Sequence, residues 1–486
     1  MAGGFLAYHE PGIVDILTIV SFFYIVSLAE WISAKILRAG IVGQIAVGIV
    51  YGRPLADILA LDWQETFLAL GYIGLILIIF EGGLRARLDL LKDNFVLSMF
   101  AAATGVGFPI GTSYLLLHLG FGYGPVETFI IGAALSATSL GTTFAVISSA
   151  SKTVDLAQTR VGAVLVSAAV IDDVVGLVMS SVIHNLGGLG GGNNANLGWL
   201  IGRPIVASIG MALVTPVVTK YIFAPVFRRY IEDRFARYDH LSNIFLMVLV
   251  LCAFLTIAAY TGTSVLFGAF LAGTFLSYIP SKHPDGPFVV LSREEGESEA
   301  HKSPTFVHTF ERYLKDVQKY LMEPLFFASV GFAIPFVQLW TGKWLWRGIV
   351  YSLLMVFGKF IVGIWIPLWA ALPVKKHTTK QQKTTNEASD EIECESCDAN
   401  QQQVGSTSRW LSALLLGSAM VARGEIGLLI IEIGYNETSY VTEGGFITGV
   451  WAILLNTIIG PVAVGLIVKF YGKRIVDGEW GLQPLE

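Results

Sequence analysis

The chain has 486 residues, of which 54% are hydrophobic and 14% are charged, and its formal net charge is −5. A soluble domain carries roughly 25% charged residues, so a chain this apolar could not cover a surface that faces water. The composition excludes a disordered chain, a coiled coil and a nucleic-acid-binding protein, and three cysteines make no disulfide framework. We therefore expect an integral membrane protein.

Thirteen apolar runs with polar flanks predict membrane-spanning helices. Several runs are shorter than the roughly 20 residues that a straight span needs, so their ends must extend into the flanks. The runs lack the alternation of barrel strands, which leaves helices. In chain order, spans 1 to 13 are Pro11–Ala29, Ile36–Tyr51, Thr66–Phe80, Phe95–Leu117, Thr128–Ile147, Val161–Ile183, Leu200–Val218, Ile244–Tyr260, Ser264–Ile279, Pro324–Trp340, Gly348–Leu372, Trp410–Ile431 and Phe446–Val468.

The positions of the basic residues predict the orientation. Of the 32 lysines and arginines, 26 lie on one side of the predicted spans and four on the other. Because cytoplasmic loops are enriched in Lys and Arg, we expect the C-terminus in the cytoplasm and the N-terminus outside. A multi-pass protein of the plasma membrane is favoured over one of an organelle.

The spans and loops predict one membrane domain with cytoplasmic extensions. Residues 1–472 form the transmembrane domain, with spans 1–6 as a first repeat, span 7 as a linker and spans 8–13 as a second repeat. Residues 281–319 and 375–408 form polar cytoplasmic loops, and residues 473–486 form a short cytoplasmic tail. The second loop is rich in Gln, Thr, Glu and Lys and is predicted to be disordered. Its Cys394 and Cys397 are interpreted as reduced thiols, because no second cysteine pair completes a zinc site.

Charged residues in the middle of three spans predict a functional site. Asp172 and Asp173 lie at the centre of span 6, Lys359 at the centre of span 11, and Arg423 and Glu425 just past the centre of span 12. Each such charge costs about 2.5–3.5 kcal/mol on insertion scales. Neighbouring helical residues project about 100° apart, so one aspartate can face Lys359 while the other faces a cavity.

The unpaired aspartate suggests ion exchange. A carboxylate in a low-dielectric site holds a proton and can release it in exchange for a cation. Two occupants that compete for one site are a physical basis for coupled transport.

Interruptions in two spans predict an inverted repeat. Spans 4–6 and spans 11–13 run in opposite directions, and spans 5 and 12 carry small or polar residues at Ala137–Gly141 and Ala422–Gly427. Matching interruptions in oppositely oriented halves point to a transporter with its site at the repeat interface.

Four stretches carry a resemblance to a known family: AGIVGQIAVGIVYGRP in span 2, LGYIGLILIIFEGGL in span 3, SAAVIDDVVGLV in span 6 and MVARGEIGLLI in span 12. In order and spacing the chain resembles the monovalent cation/proton antiporter superfamily, the Na⁺/H⁺ or K⁺/H⁺ exchangers of the paired-aspartate type. The resemblance extends from about Ile36 to Val468. It implies an all-α membrane protein of about 13 helices with two crossing discontinuous helices, the sodium/proton antiporter fold, here spans 5 and 12.

The resemblance also implies roles for particular residues. Asp173 would bind the cation and protons, Asp172 would pair with Lys359, and Thr138 and Ser139 would line the site. Glu425 and Arg423 would stabilise the break in span 12. The resemblance further implies a homodimer in lipid, with no cofactor besides the transported Na⁺ or K⁺ and H⁺.

The chain also departs from the family pattern. Leu140 stands where many members have Pro near the break of span 5, and Gln44 stands where many have Glu. We expect no nucleotide-binding domain after span 13, unlike in the potassium-efflux members. Paired aspartates are typical of the electrogenic branch, whereas Glu81 in the EGGL segment resembles the electroneutral branch, which leaves ion selectivity and stoichiometry open.

Three other functions compete with exchange as readings of these residues. A cation channel would show rings of charge or carbonyls along a pore, and a non-transporting sensor could use the same fold. An intramembrane protease needs two carboxylates that meet face to face, which neighbours on one helix cannot do. We therefore expect no enzymatic activity and no catalytic residue. Asn436 begins a glycosylation sequon on the predicted outer side.

Overall fold

The computed structural model describes residues 10–86, 94–139, 159–187, 197–231, 238–277, 305–371, 408–478 and 480–481, and no β-strand lies in these ranges. The helices are α1 Ile13–Ile36, α2 Gly40–Tyr51, α3 Leu61–Leu84, α4 Phe95–Ser113, α5 Pro125–Ser136, α6 Arg160–Gly187, α7 Leu197–Val218, α8 Asp239–Thr261, α9 Val265–Ser277, α10 Phe306–Tyr313, α11 Glu323–Ala333, α12 Gly342–Phe360, α13 408–419, α14 Glu425–Asn436 and α15 Glu443–Val476. The helical path continues beyond α4 to Gly120, beyond α7 to Ile231 and beyond α12 to Ala371.

Helices lie on all thirteen predicted spans, which confirms the all-helical membrane architecture. Eight of the described helices are long and apolar enough to cross a membrane, and α2, α5 and α9 are shorter apolar helices. The number of crossings therefore stays a prediction. Span 1 was predicted to end at Ala29, but α1 continues to Ile36, because its polar end is built from good helix formers. The chain then turns at Arg38, which has a φ of 56°.

The helices pack into two bundles. The first contains α1, α2, α3, α8, α9 and α11, and the second contains α4, α5, α6 and α12 to α15. A separate apolar core, which includes Phe22, Tyr51 and Phe67, joins α1, α2, α3 and α11. The second bundle holds the charged residues of spans 6, 11 and 12, and α7 packs against α6.

In the second bundle span 12 is interrupted, and the helix of span 5 ends within the span. Helix α5 ends at Ser136, and Ala137 is extended, with ψ of 135°. The remainder of span 5, including Leu140 and Gly141, lies outside the described residues. Span 12 consists of two helices, α13 and α14, separated by residues 420–424. The break therefore starts before the predicted Ala422 and ends where Glu425 opens α14.

Part of the predicted cytoplasmic loop 281–319 is helical. Helix α10 begins after Thr305, whose side chain accepts a hydrogen bond from the backbone N–H of His308 at 3.1 Å. The following turns dock on the end of α3, where Lys315 Nζ lies 2.5 Å from a carboxylate oxygen of Glu81 and Gln318 donates to the other at 2.7 Å. Loop 375–408 lies outside the described residues except for Ser408, which opens α13. Helix α15 extends to Val476, into the predicted tail.

Candidate functional site

Asp172 is held in place by a buried network. Lys359 Nζ lies 2.9 Å from Asp172 Oδ2, and neither side chain is exposed. Thr138, two residues after the end of α5, donates to the same carboxylate oxygen and accepts a hydrogen bond from Lys359 at 3.0 Å. The three residues come from spans 5, 6 and 11, so the network joins both predicted repeats at one depth.

Asp173 has different surroundings, although it is the next residue. Its side chain is 6% exposed and makes no hydrogen bond among the described residues, and its Oδ1 is buried without a hydrogen-bond donor there. Since a buried carboxylate oxygen is costly to leave unsatisfied, this side chain is suited to bind a proton or a cation.

The residues that follow α5 cross the break of span 12 beside the aspartates. The backbone N–H of Ser139 donates to the carbonyl of Ala422 at 2.9 Å, and the Ser139 hydroxyl donates to Glu425 at 3.4 Å. Arg423 donates to the carbonyls of Ser136 and Ala137 at 3.3 and 2.8 Å. These carbonyls belong to the end of α5, where the partial negative charge of the helix favours a cation.

Glycines allow the crossing segments to approach closely. A Cβ added to Gly424 would lie 2.5 Å from the Ser139 hydroxyl oxygen, and one added to Gly460 would lie 2.6 Å from the backbone nitrogen of Ala422. Such distances are far shorter than van der Waals contact. The absence of a side chain at Gly424 and Gly460 is therefore a geometric requirement of the crossing.

The formal charges at this depth do not cancel. Three carboxylates, Asp172, Asp173 and Glu425, face two basic groups, Lys359 and Arg423, and all five residues are buried. With every group ionised the set carries one net negative charge, which a single proton or monovalent cation would neutralise.

All seven residues singled out from the sequence lie at this crossing. The sequence interpretation missed two polar pairs that connect neighbouring helices of the same bundle. The hydroxyls of Ser113 and Tyr351 lie 2.6 Å apart, and Ser352 donates to Asn456 at 3.2 Å. Asn456, an amide in the middle of an apolar span, was a signal that could have revealed the second pair. Gln44, a departure from the family pattern, donates to Glu30 at 3.0 Å.

Comparisons with known proteins identify the family of the chain. The family model described as "Sodium/hydrogen exchanger, transmembrane" matches residues 18–470. The chain is 25% identical over 455 residues to a Na⁺/H⁺ antiporter of Enterococcus hirae, covering 92% of this chain and 96% of the relative. It is 21% identical over 439 residues to the Na⁺/H⁺-K⁺ antiporter GerN of Bacillus cereus, covering 89% and 91%.

The fold also matches a solved structure. The sodium proton antiporter MjNhaP1 of Methanocaldococcus jannaschii at pH 8 superposes with a TM-score of 0.55 and 18% identity, covering 94% of this chain and 99% of the other. At this identity the likeness establishes the fold, which is the sodium/proton antiporter fold expected from the sequence. With the family model spanning most of its length, the chain belongs to the sodium/hydrogen exchanger family.

Proposed function

We propose that the protein is a secondary antiporter that exchanges a monovalent cation, Na⁺ or K⁺, for protons by alternating access, with Asp173 as the exchange carboxylate. One observation carries the proposal. Asp172 is bonded to Lys359 and Thr138, whereas Asp173 at the same depth makes no hydrogen bond among the described residues. The full-length similarity to antiporters named for Na⁺ or for Na⁺ and K⁺ supports the class of substrate.

The charge of the site gives the coupling its physical basis. The buried set carries one negative charge when Asp173 is ionised and empty. A proton or a cation on Asp173 removes that charge, and the two cannot bind together. A charge in the membrane interior costs about 2.5–3.5 kcal/mol on insertion scales, so the empty, ionised state crosses less readily than either loaded state. That difference couples one flux to the other and limits a leak.

The remaining residues hold the site in position. Lys359 neutralises the charge of Asp172, and Thr138, just after the end of α5, forms hydrogen bonds with both. Arg423 and Glu425 connect the break of span 12 to the residues at and after the end of α5. Ser139 lines the site through its contact with Glu425. We expect the protein to work as a homodimer in lipid, as the resemblance implies.

Proton flux in proteoliposomes tests this function. Purified protein is reconstituted into liposomes that contain a pH-sensitive dye. The interior is made more acidic than the bath, and Na⁺, K⁺ or Li⁺ is then added to the bath. We expect at least one cation to collapse the gradient, and the rank of the three gives the selectivity. Cation current without any accompanying proton flux would indicate a channel instead. No response to any cation would contradict the proposal.

A further inference from the structure

A cavity of about 590 Å³ opens between the two bundles on the predicted outer side. The outer halves of α3, α6, α11 and α14 form its walls, together with the turn between α8 and α9. Its lining includes the carboxylates of Glu432 and Glu437, and no lysine or arginine among the described residues. Arg203 lies against Gly262 of the lining and His184 pairs with Glu437, which leaves Glu432 as the lining carboxylate with no basic partner among the described residues.

The two carboxylates differ in how they are held. Glu437 is exposed and ion-paired with His184 at the end of α6. Glu432 accepts one hydrogen bond, from the Asn436 amide at 2.8 Å, and its Oε1 is buried without a donor among the described residues. A buried carboxylate oxygen of this kind requires a cation, a proton or water.

Serine hydroxyls supply further oxygens to the cavity. Ser180 and Ser329 donate to carbonyls of their own helices at 2.8 and 2.7 Å, and Ser181 donates to the carbonyl of Gly262 at 3.3 Å. A hydroxyl that donates its proton keeps lone pairs as acceptors. Neutral oxygens that line the same cavity as an unpaired carboxylate suit a monovalent cation that keeps part of its hydration shell.

The cavity lies in line with the exchange site. Glu432 follows Glu425 by seven residues on α14, and Ser180 follows Asp173 by seven residues on α6. Seven residues are two helical turns, which return to nearly the same face about 10 Å further along. Helices α6 and α14 pack against each other, so both rows of side chains lead from the aspartates to the cavity.

We propose that Glu432 forms a second, outer binding site, which receives a partly hydrated monovalent cation before the cation reaches Asp173. The inference rests on the proposed exchange function and adds a binding step on one face of the membrane. It assigns Glu432 a role in the affinity for the external cation and none in the exchange step itself.

The test compares the two membrane faces. Right-side-out and everted vesicles are prepared from the same cells, and proton exchange is titrated with Na⁺ and with K⁺ in the bath. For Glu432→Gln we expect the KM of the bath cation to rise on the order of tenfold in right-side-out vesicles. The KM in everted vesicles and the maximal rate in both should stay at wild-type values. Glu443→Gln, which neutralises an exposed carboxylate at the start of α15, is the matched control and should change neither.

Several results would overturn the inference. An unchanged KM on both faces, an equal rise on both faces, or a loss of the maximal rate in both Glu432→Gln and Glu432→Asp would each do so. Glu432→Asp keeps the carboxylate and should give an intermediate KM. The proposed function fails separately, if wild-type vesicles show no cation-dependent proton flux.

Discussion

The two aspartates of α6 differ because one step along a helix turns the side chain by about 100°. That rotation brings Asp172 against Lys359 at 2.9 Å and leaves Asp173 without a hydrogen bond among the described residues. A buried pair contributes little net stability, but removing one member leaves an uncompensated charge. The contribution of Lys359 to stability should therefore depend on the charge of Asp172.

Substitution of Lys359 tests that dependence. We expect Lys359→Gln to destabilise the protein by about 3–5 kcal/mol, since it strands the Asp172 carboxylate in the interior. The double variant Asp172→Asn/Lys359→Gln should recover most of the loss, because no charge is left unpaired. Thermal unfolding in detergent measures both effects, and equal losses in the single and double variants would contradict the pairing. The pH profile of exchange should also change in Lys359→Gln if the variant remains folded.

These residues could be identified from the sequence because charges in the middle of a span are rare and costly. It could not by itself assign Lys359 to one aspartate, because the choice depends on how α6 is rotated against α12. The family resemblance supplied the assignment, and the structure places Asp172 at Lys359. The bonded pair of Ser352 and Asn456 went unnoticed, because uncharged polar residues are less conspicuous in an apolar run.

The interrupted spans were predictable as elements, but their limits were not. Small and polar residues in two oppositely oriented spans indicated the breaks. Their limits depend on tertiary contacts, such as the bonds from Arg423 to the last carbonyls of α5. Helix α10 and the docking of Lys315 on Glu81 show the same limitation, since a charged stretch between spans gives no apolar signal.

The crossing also predicts the effect of a single methyl group on α15. Gly460→Ala should reduce stability and exchange, although Ala favours a helix over Gly by about 1 kcal/mol, because its Cβ would lie 2.6 Å from the backbone nitrogen of Ala422. Gly107→Ala in α4 is the matched control, since no atom lies within 4 Å of its added Cβ. Unfolding temperature and proton flux check both variants. A Gly460→Ala protein as stable and active as Gly107→Ala would show that the crossing tolerates the methyl group.

In the whole molecule, the two bundles differ in what they contain. The second bundle carries the crossing and the buried charges, and the outer cavity lies where it meets the first. Alternating access then requires relative motion of the bundles, which would close the cavity on one face and open another.

The apolar runs and their order were sufficient to predict the helical architecture, whereas the division into two bundles depends on packing that no single span reveals.

Cysteine labelling tests the predicted orientation. Cys394 and Cys397 lie in the loop between spans 11 and 12, which is predicted to be cytoplasmic. A membrane-impermeant maleimide should label them in everted vesicles and leave them unlabelled in right-side-out vesicles. Cys252, exposed on the surface of α8 within its apolar span, should stay unlabelled in both because lipid covers it.

The double variant Cys394→Ser/Cys397→Ser provides the control, since it should abolish labelling in everted vesicles. Labelling of the wild-type protein in right-side-out vesicles alone would reverse the assigned orientation. It would also move the cavity at Glu432 to the cytoplasmic side.

We propose Asp173 as the carboxylate on which cation and proton compete. The most direct measurement is cation-dependent proton flux in proteoliposomes that contain the Asp173→Asn variant. Its unfolding temperature is measured first, and it should equal that of the wild-type protein. The amide keeps the shape of the side chain but cannot ionise, so we expect flux no greater than that of empty liposomes with Na⁺, K⁺ or Li⁺. Full cation-dependent flux in this variant would exclude Asp173 as the exchange carboxylate.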